Sequence, residues 1–237
     1  NIGMVTSALW SDADGDGKLD LLITKEWGRI DVFKNDGTKL TKVKTPLDSF
    51  KGWWNSIVST DIDNDGDIDY VAGNFGTNSF LQASNEEPLN VYAKDFDNNF
   101  SLDVIFSHWI QDQTGGVKKE FPLAGRDLLL REMSIMKERF PNYASYAKTD
   151  IGQLFTQEQM KDAYTAKANY LKSSWIENKG NFNFEIHELP ATVQFAPIFG
   201  ILPKDINNDG LIDLIFTGNE YAMSPYLGRQ DALNGLV

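Results

Sequence analysis

The sequence of 237 residues contains no cysteine, so disulfide bonds cannot hold the fold together and the redox state of its compartment stays open. It has no run of eighteen apolar residues, and we therefore predict no transmembrane segment. Histidine is almost absent: neither His108 nor His187, the two candidate bases near neutral pH, stands in a recognisable catalytic motif. A glycine-rich phosphate loop and a nucleophile elbow are missing too. These absences predict a protein that is not an enzyme.

Positive charge is also scarce. Lysine and arginine number 22 against 34 aspartates and glutamates, which gives a formal net charge of −12 at pH 7. A chain with this charge would be repelled by a nucleic-acid backbone, so we expect no nucleic-acid partner. The remaining composition, with 41% hydrophobic and 24% charged residues, is typical of a folded globular chain.

What the sequence does contain is a nine-residue acidic pattern that occurs four times, at residues 12–20, 61–69, 95–103 and 205–213. In the second copy five aspartates alternate with other residues, and Gly66 stands at the sixth place. Oxygen ligands at alternating positions suit Ca²⁺, and the glycine permits the sharp turn that lets one loop surround one ion. The copies hold four, five, three and three aspartates in order, fifteen of the 34 acidic residues. Much of the acidity is therefore attributed to metal ligands.

Each copy offers the same kinds of ligand: the side chains at places 1, 3, 5 and 9 and the backbone carbonyl at place 7. The candidate metal ligands are Asp12, Asp14, Asp16, Lys18, Asp20, Asp61, Asp63, Asp65, Asp67, Asp69, Asp95, Asp97, Asn99, Ser101, Asp103, Asp205, Asn207, Asp209, Leu211 and Asp213. This oxygen-only set argues against zinc or copper, and Mg²⁺ suits fewer protein ligands, so we predict about three to four Ca²⁺ ions. The third copy is expected to bind metal most weakly, because Phe100 replaces the glycine and Asn99 replaces an aspartate. The alternative for each copy is an ordinary solvated turn.

The segments around the acidic copies predict strands rather than the helices of an EF-hand. An EF-hand has a bidentate glutamate at place 12, whereas these copies have apolar residues there: Ile23, Ala72, Phe106 and Phe216. Apolar and β-branched segments enter and leave the copies at 4–10, 21–24, 56–60, 70–73, 91–93, 104–106, 199–202 and 214–216. Two further strands are predicted at 30–33 and 40–43, around an Asn-Asp-Gly turn. Each acidic copy is thus predicted to form the tip of a β-hairpin.

The spacing of the copies predicts a repeat architecture. The copies begin 49, 34 and 110 residues apart, and a four-stranded propeller blade takes about 40–50 residues. We therefore predict an all-β fold of β-propeller blades that carry Ca²⁺-binding hairpin loops, plus a helical insertion. The predicted blades cover residues 1–50, 51–87, 88–196 and 197–237, and the insertion covers 127–174.

Within the predicted insertion the hydrophobic period changes from two to 3.6. The first predicted helix ends before Pro141 and carries its apolar residues on one face: Leu129, Met133, Met136 and Phe140. A second helix begins at a capping-box pattern in residues 156–159 and carries Met160, Tyr164 and Leu171 on one side. A short helix is predicted over 143–147. We expect these apolar faces to pack against the sheets, and a partner-binding arm is the alternative.

The acidic loops resemble the calcium loops of FG-GAP, or VCBS-type, repeats, which form the blades of integrin α-subunit propellers. The segments at 3–6, 140–147, 194–202 and 228–232 resemble secreted VCBS proteins of Bacteroidetes, which often carry an ASPIC/UnbV segment. The resemblance implies a calcium-binding propeller segment of an exported bacterial protein, located extracellularly, at the cell surface or in the periplasm. It would act as a binding or adhesion module for a glycan or a protein. Related propellers have about seven blades, so the chain is expected to be a piece of a longer protein.

Two other functions are considered. The propeller domain of a polysaccharide-degrading enzyme, a lyase or a hydrolase, would need a polar cleft, and a deep pocket around His108 or His187 would favour it. RNA binding is opposed by the negative charge. The six tryptophans could form a sugar-stacking surface, but their places beside strands favour core or near-core positions: Trp10, Trp27, Trp53, Trp54, Trp109 and Trp175.

Overall fold

The computed structural model describes residues 2–111, 116–224 and 227–237. The chain is mostly β, with several antiparallel sheets and few helices, as the sequence predicts. It divides into two compact units, the first formed by Asn1–Phe80 with Tyr170–Val237 and the second by Leu81–Asn169. Within the described ranges, no helix combines the length and the apolar character needed to cross a membrane.

The first sheet of the first unit is an antiparallel meander in chain order. Its strands are β1 (Met4–Ser11), β2 (Asp20–Glu26), β3 (Asp31–Asn35) and β4 (Leu40–Val43). All four were predicted, because alternating apolar and β-branched residues separated by turn residues are the signature of a meander. After a 3₁₀ helix at Pro46–Ser49, β5 (Ser56–Thr60) and β6 (Asp69–Gly73) form the next antiparallel pair.

The second unit begins after this pair and contains its own four-stranded sheet. The strands are β7 (Leu89–Lys94), β8 (Asp103–Gln111), β9 (Lys118–Pro122) and β10 (Tyr164–Ala168), in the spatial order β10-β7-β8-β9. Five short helices lie between β9 and β10: α1 (Arg126–Glu132), α2 (Met136–Arg139), α3 (Tyr143–Tyr146), α4 (Ile151–Leu154) and α5 (Gln157–Met160).

The predicted apolar helical face is buried, although it spans two helices. Leu129, Met133, Met136 and Phe140 join Ile105 of the sheet and Phe96 of the third acidic loop in one core cluster. Phe96 also stacks on Phe155 at 4.0 Å between ring centroids. The face therefore packs against the sheet of its own unit, which favours the packing role over a free arm.

The second predicted helix is correct at its start and wrong at its end. The capping box of Thr156 and Gln159 is present, with hydrogen bonds in both directions. The helix then stops at Met160, and Tyr164 begins β10 instead. Asp162, at φ +62°, turns the chain out of the helical course. Met160, Tyr164 and Leu171 have helical spacing in the sequence but do not share a helix. The α-helices end at Met160, well before residue 174.

When the chain returns to the first unit, it completes the sheet that β5 and β6 began. β11 (Ser174–Asn178) pairs with β6, and β12 (Phe184–Glu188) follows it, in the order β5-β6-β11-β12. The blade boundaries predicted at 51–87 and 88–196 differ from this sheet. In the sequence, Leu81–Asn169 separates β6 from β11, although these two strands are neighbours in the same sheet.

The last pair is β13 (Ile198–Lys204) with β14 (Asp213–Gly218), which follow a 3₁₀ helix at Ala191–Phe195. Both backbone groups of Leu236 bond Phe216 on β14, at 2.8 and 3.2 Å. Ser56 on β5 donates its hydroxyl to the Ile198 carbonyl at 3.0 Å, which ties this pair to the preceding sheet.

Apolar residues from neighbouring sheets form the cores of the first unit. One cluster combines the first two sheets through Leu22, Val32, Trp54, Tyr70, Ile176 and Phe184. A second cluster joins β6 with the last pair through Val71, Ile198, Phe216 and Leu233. Fully burying such a side chain stabilises the fold by about 1.5–3 kcal/mol. Among the tryptophans, Trp27 and Trp54 are buried, as expected for core positions, whereas Trp10 is 54% exposed.

Candidate metal centres

All four acidic loops are tips of antiparallel hairpins, as predicted. They connect β1 to β2, β5 to β6, β7 to β8 and β13 to β14. Three of these loops belong to the first unit, and the loop at residues 95–103 belongs to the second. Each ninth-place aspartate is also the first residue of the outgoing strand, so the strand fixes the end of the loop.

The loops close on themselves through the same hydrogen bonds. The amide at place 6 donates to the carboxylate at place 1 in each loop: Gly17 to Asp12 (2.8 Å), Gly66 to Asp61 (3.1 Å), Phe100 to Asp95 (2.8 Å) and Gly210 to Asp205 (3.0 Å). The amide at place 2 donates to the carboxylate at place 9: Ala13 to Asp20 (3.1 Å), Ile62 to Asp69 (3.2 Å), Phe96 to Asp103 (2.9 Å) and Ile206 to Asp213 (2.9 Å). Because the pattern is shared, the four sequences form one kind of loop.

Two left-handed residues shape every loop. At place 4 they are Gly15, Asn64, Asn98 and Asn208, with φ between +58° and +78°. At place 6 they are Gly17, Gly66, Phe100 and Gly210, with φ between +68° and +96°. Glycine and asparagine adopt this conformation readily, whereas phenylalanine does so at a steric cost. The third loop therefore keeps the common shape despite Phe100.

The closed shape brings ligand oxygens together. Carboxylate oxygens from places 1, 3 and 9 lie within 4.8 Å of one another in three loops: Asp12, Asp14 and Asp20; Asp61, Asp63 and Asp69; Asp95, Asp97 and Asp103. In the fourth loop the amide Asn207 takes place 3, and it donates to Asp209 Oδ2 at 2.9 Å. These groups contain the predicted side-chain ligands at places 1, 3 and 9 of the first three loops, but not those at place 5, which are Asp16, Asp65 and Asn99.

Several carboxylate oxygens in the loops lack a hydrogen-bond donor, one of them in Asp67, whose predicted ligand is its backbone carbonyl. Three buried oxygens receive no hydrogen bond from the residues that the structure describes: Asp61 Oδ1, Asp67 Oδ1 and Asp97 Oδ1. Burial and the neighbouring carboxylates of Asp65 and Asp69 raise the pKa of Asp67 to about 6. Burial likewise raises the pKa of the ninth-place carboxyls Asp20, Asp69 and Asp103. Buried carboxylate oxygens without donors are unfavourable, and a hard divalent cation would satisfy them. The donor set therefore fits such an ion.

The first loop differs because it already holds a cation from the protein. The Lys34 ammonium on β3 hydrogen-bonds Asp14 Oδ2 and also Asp16 Oδ2, the latter at 3.0 Å. The hydrogen bond from Lys34 lowers the pKa of Asp16, and the two carboxylates raise the pKa of Lys34. Sequence reasoning missed this lysine, which lies fourteen residues beyond the loop's last carboxylate.

Two asparagines on the third strands complete the first two loops. The backbone amide of Asn35 donates to Asp20 Oδ1 at 2.8 Å, and that of Asn178 donates to Asp69 Oδ1 at 2.9 Å. Their side-chain amides bond the place 8 carbonyls, Leu19 at 2.9 Å and Ile68 at 3.2 Å. Each asparagine also begins an Asn-x-Gly turn, at 35–37 and 178–180, in which its side-chain oxygen accepts a hydrogen bond from the glycine amide.

The first two loops are also connected to each other. Asn178 Nδ2 reaches the Ala13 carbonyl in the first loop at 3.4 Å, in addition to Ile68 in the second. Tyr70, directly after the second loop, donates its hydroxyl to Ser11 Oγ, directly before the first, at 3.0 Å. Both contacts are buried, so the two loops share one polar support.

Both histidines lie on strands, His108 on β8 and His187 on β12. His187 Nε2 lies 2.9 Å from Glu177 Oε2, and its ring stacks on Trp175 with 4.7 Å between centroids. Glu177, Glu185 and His187 form a further group of possible metal ligands, but Lys179 already makes an ion pair with Glu177. Burial lowers the pKa of His108.

Comparison with protein families identifies part of this arrangement. Residues 12–72 match the FG-GAP-like repeat family. The match begins at the first carboxylate of the first loop and ends in β6, so it contains the first two acidic loops and the strands β2 to β5, but not β1. No curated protein matches the chain.

Proposed function

We propose that this chain is a calcium-binding FG-GAP/VCBS-type segment of β-propeller blades. In this proposal it belongs to an exported bacterial protein and acts as a binding module for a glycan or a protein, without catalysis of its own. The FG-GAP-like match over residues 12–72 supports the repeat class. The antiparallel four-stranded sheets with acidic hairpin tips support the blade assignment.

The observation that carries the calcium proposal is the set of unpartnered carboxylate oxygens inside loops of one common shape. In the second loop the ion would be held by the carboxylates of Asp61, Asp63, Asp65 and Asp69 and by the Asp67 carbonyl. When bound, Ca²⁺ supplies positive charge to carboxylates that otherwise repel one another. Its proposed role is structural, since the loop joins the end of β5 to the start of β6.

Calcium removal tests this proposal. A ligand that binds only the folded state stabilises it by about 2.7 kcal/mol per site at a hundredfold excess over Kd. We expect a lower melting temperature in EGTA, restored by Ca²⁺ and much less by Mg²⁺. Melting curves that coincide with and without chelator, after verified metal removal, would contradict it.

A ligand substitution makes the test specific to one loop. D63A should lose part of the calcium stabilisation, because it removes a ligand and leaves four carboxylates in the second loop. E138Q is the matched control, since it removes one exposed negative charge from α2, outside the loops. An equal effect of both substitutions would indicate general charge repulsion instead of a bound ion.

The binding role needs its own measurement. Glycan-array binding of the full-length parent protein, with and without Ca²⁺, tests for a carbohydrate ligand. Calcium-dependent binding to a defined glycan class supports the module. Turnover of a bound polysaccharide would instead support the degrading-enzyme alternative.

A further inference from the structure

The first acidic loop combines a metal-type ligand set with a lysine from a neighbouring strand. Lys34 Nζ bonds carboxylates at places 3 and 5, Asp14 and Asp16, and these are two of the side chains that would ligate an ion. The Asp14 side chain is only 7% exposed, whereas that of Lys34 is 36% exposed. The ammonium thus reaches inward from the rim of the loop.

The position of Lys34 is supported from two sides. Its ammonium lies 5.5 Å from the ring centroid of Phe182, so the aromatic face adds to the attraction of the carboxylates. The next residue, Asn35, is fixed by its backbone bond to Asp20. Strand β3 therefore holds the Lys34 ammonium next to the carboxylates of the first loop.

The second loop has no lysine at the equivalent position. Asn178 corresponds to Asn35, and the residue before it is Glu177, whose carboxylate pairs with Lys179 and His187. Two buried oxygens of the second loop, in Asp61 and Asp67, are left without donors among the described residues. The buried unpartnered oxygens identified in the described ranges include none from the first loop.

We propose that Lys34 is a built-in competitor of the metal ion at the first loop, which makes this loop bind Ca²⁺ more weakly than the second and hold its shape without metal. This inference rests on the proposed calcium function. Because the ammonium occupies Oδ2 of both Asp14 and Asp16, a divalent ion has to displace it or share these two carboxylates with it. Its positive charge also repels the incoming ion.

Replacing the lysine should therefore have two opposite effects. K34M should tighten calcium binding at the first loop, on the order of tenfold for one nearby charge in a partly exposed site. The same variant should melt at a lower temperature than the wild type in EGTA, because the carboxylates lose their internal cation. A lysine with a merely structural role predicts the lower melting temperature alone.

Glycine amides give a readout for each loop separately. The Gly17, Gly66 and Gly210 amides bond the first carboxylates of their loops, so their ¹H–¹⁵N NMR signals should follow calcium binding site by site. In the wild type we expect Gly17 to titrate at a higher calcium concentration than Gly66. In K34M the Gly17 midpoint should fall while the Gly66 midpoint stays unchanged. K34Q should act in the same direction and serves if K34M aggregates.

K44M is the matched control. Lys44 carries the same charge in the same unit, but it is exposed, follows β4 and lies outside the acidic loops. We expect little change in the Gly17 midpoint. An unchanged or raised Gly17 midpoint in both Lys34 variants, with Gly66 still responding to calcium, overturns the competitor inference alone. No response at any of the three glycines overturns it together with the calcium proposal.

Discussion

Asn178 shows how one side chain can organise two loops. It is 3% exposed, and its backbone amide, its side-chain amide and its side-chain carbonyl all take part in hydrogen bonds. The side-chain amide contacts carbonyls of both the first and the second loop, at Ala13 and Ile68. A smaller residue would leave these buried carbonyls without that donor, and such groups are costly to bury.

We therefore predict that N178A lowers the free energy of unfolding by about 1–3 kcal/mol. Asn35 offers a matched control, because it makes the equivalent bonds on the first sheet from a half-buried position, and its exposed side-chain bond reaches one loop only. N35A should cost about 0.5 kcal/mol, because its side-chain bond is exposed to water. Urea unfolding in calcium measures both. Equal losses would contradict a special role for the buried bridge.

At the scale of elements, the nine-residue loop is a unit defined by its own hydrogen bonds. Its shape needs left-handed residues at places 4 and 6, and the third loop meets the second requirement with Phe100 at φ +68°. The ring is fully exposed, so it gains no packing in return. The strained backbone is thus retained at a position where glycine would be favoured.

F100G should consequently stabilise the protein by about 0.5–1 kcal/mol in EGTA, because glycine adopts positive φ without steric strain. F100A is the control, since it removes the exposed ring but keeps the β-carbon that causes the strain. Denaturant unfolding of both variants decides between the two causes. A gain in F100A equal to that in F100G would mean that exposure of the ring, and not the backbone conformation, was the source.

The elements that could be predicted are those specified by nearby residues. The acidic loops and their flanking strands follow from local alternation and turn chemistry, and so does the capping box at Thr156. β10 was missed because Met160 and Tyr164 have helical spacing, while the turn at Asp162 leaves little trace in the pattern. Local periodicity carries no information on pairing across a long separation, so the partnership of β6 with β11 was not foreseen.

The same distinction applies to the candidate metal centres. The carboxylates are neighbours in sequence, so their gathering could be predicted. Lys34 and Asn178 reach the loops from third strands, and Asn178 lies 109 residues beyond Asp69. The Asn-x-Gly triplet at 35–37 and 178–180 does not reveal this correspondence, because it also occurs in the sequence at 64–66, 74–76 and 208–210.

For the molecule as a whole, the defining feature is that the chain of the second unit is inserted, in sequence, between two strands of the first unit that pair directly, β6 and β11. The segments that leave and re-enter the first unit are joined by a bond from the Gly76 amide to the Leu171 carbonyl at 2.7 Å. Asn74, completely buried, strengthens this connection by bonding the Tyr170 carbonyl at 3.0 Å and Ser173 Oγ at 2.9 Å. The first unit therefore holds both ends of the insertion in place by itself.

This arrangement predicts that the insertion can be removed. Joining Phe80 to Tyr170 through a short glycine–serine linker should leave the first unit folded, with equal or greater stability. The reason is that the entropic cost of closing a loop is smaller for a shorter connection. Circular dichroism and urea unfolding would measure this. Removing residues 74–173 instead deletes Asn74 and should abolish folding. If the first deletion also prevents folding, the inserted unit is required for the stability of the first.

The insertion also delays the pairing of β6 with β11 during synthesis. β6 ends at Gly73 and β11 begins at Ser174, so about 100 residues leave the ribosome between two strands that must pair. At about 5–20 residues per second, β6 waits roughly 5–20 s with one edge unpaired. Every residue of β6 is buried in the finished sheet, which makes this interval the period of greatest exposure to aggregation. Asp69 can accept its hydrogen bond from the Asn178 amide only after this interval, so the second loop is synthesised well before its last hydrogen-bond donor.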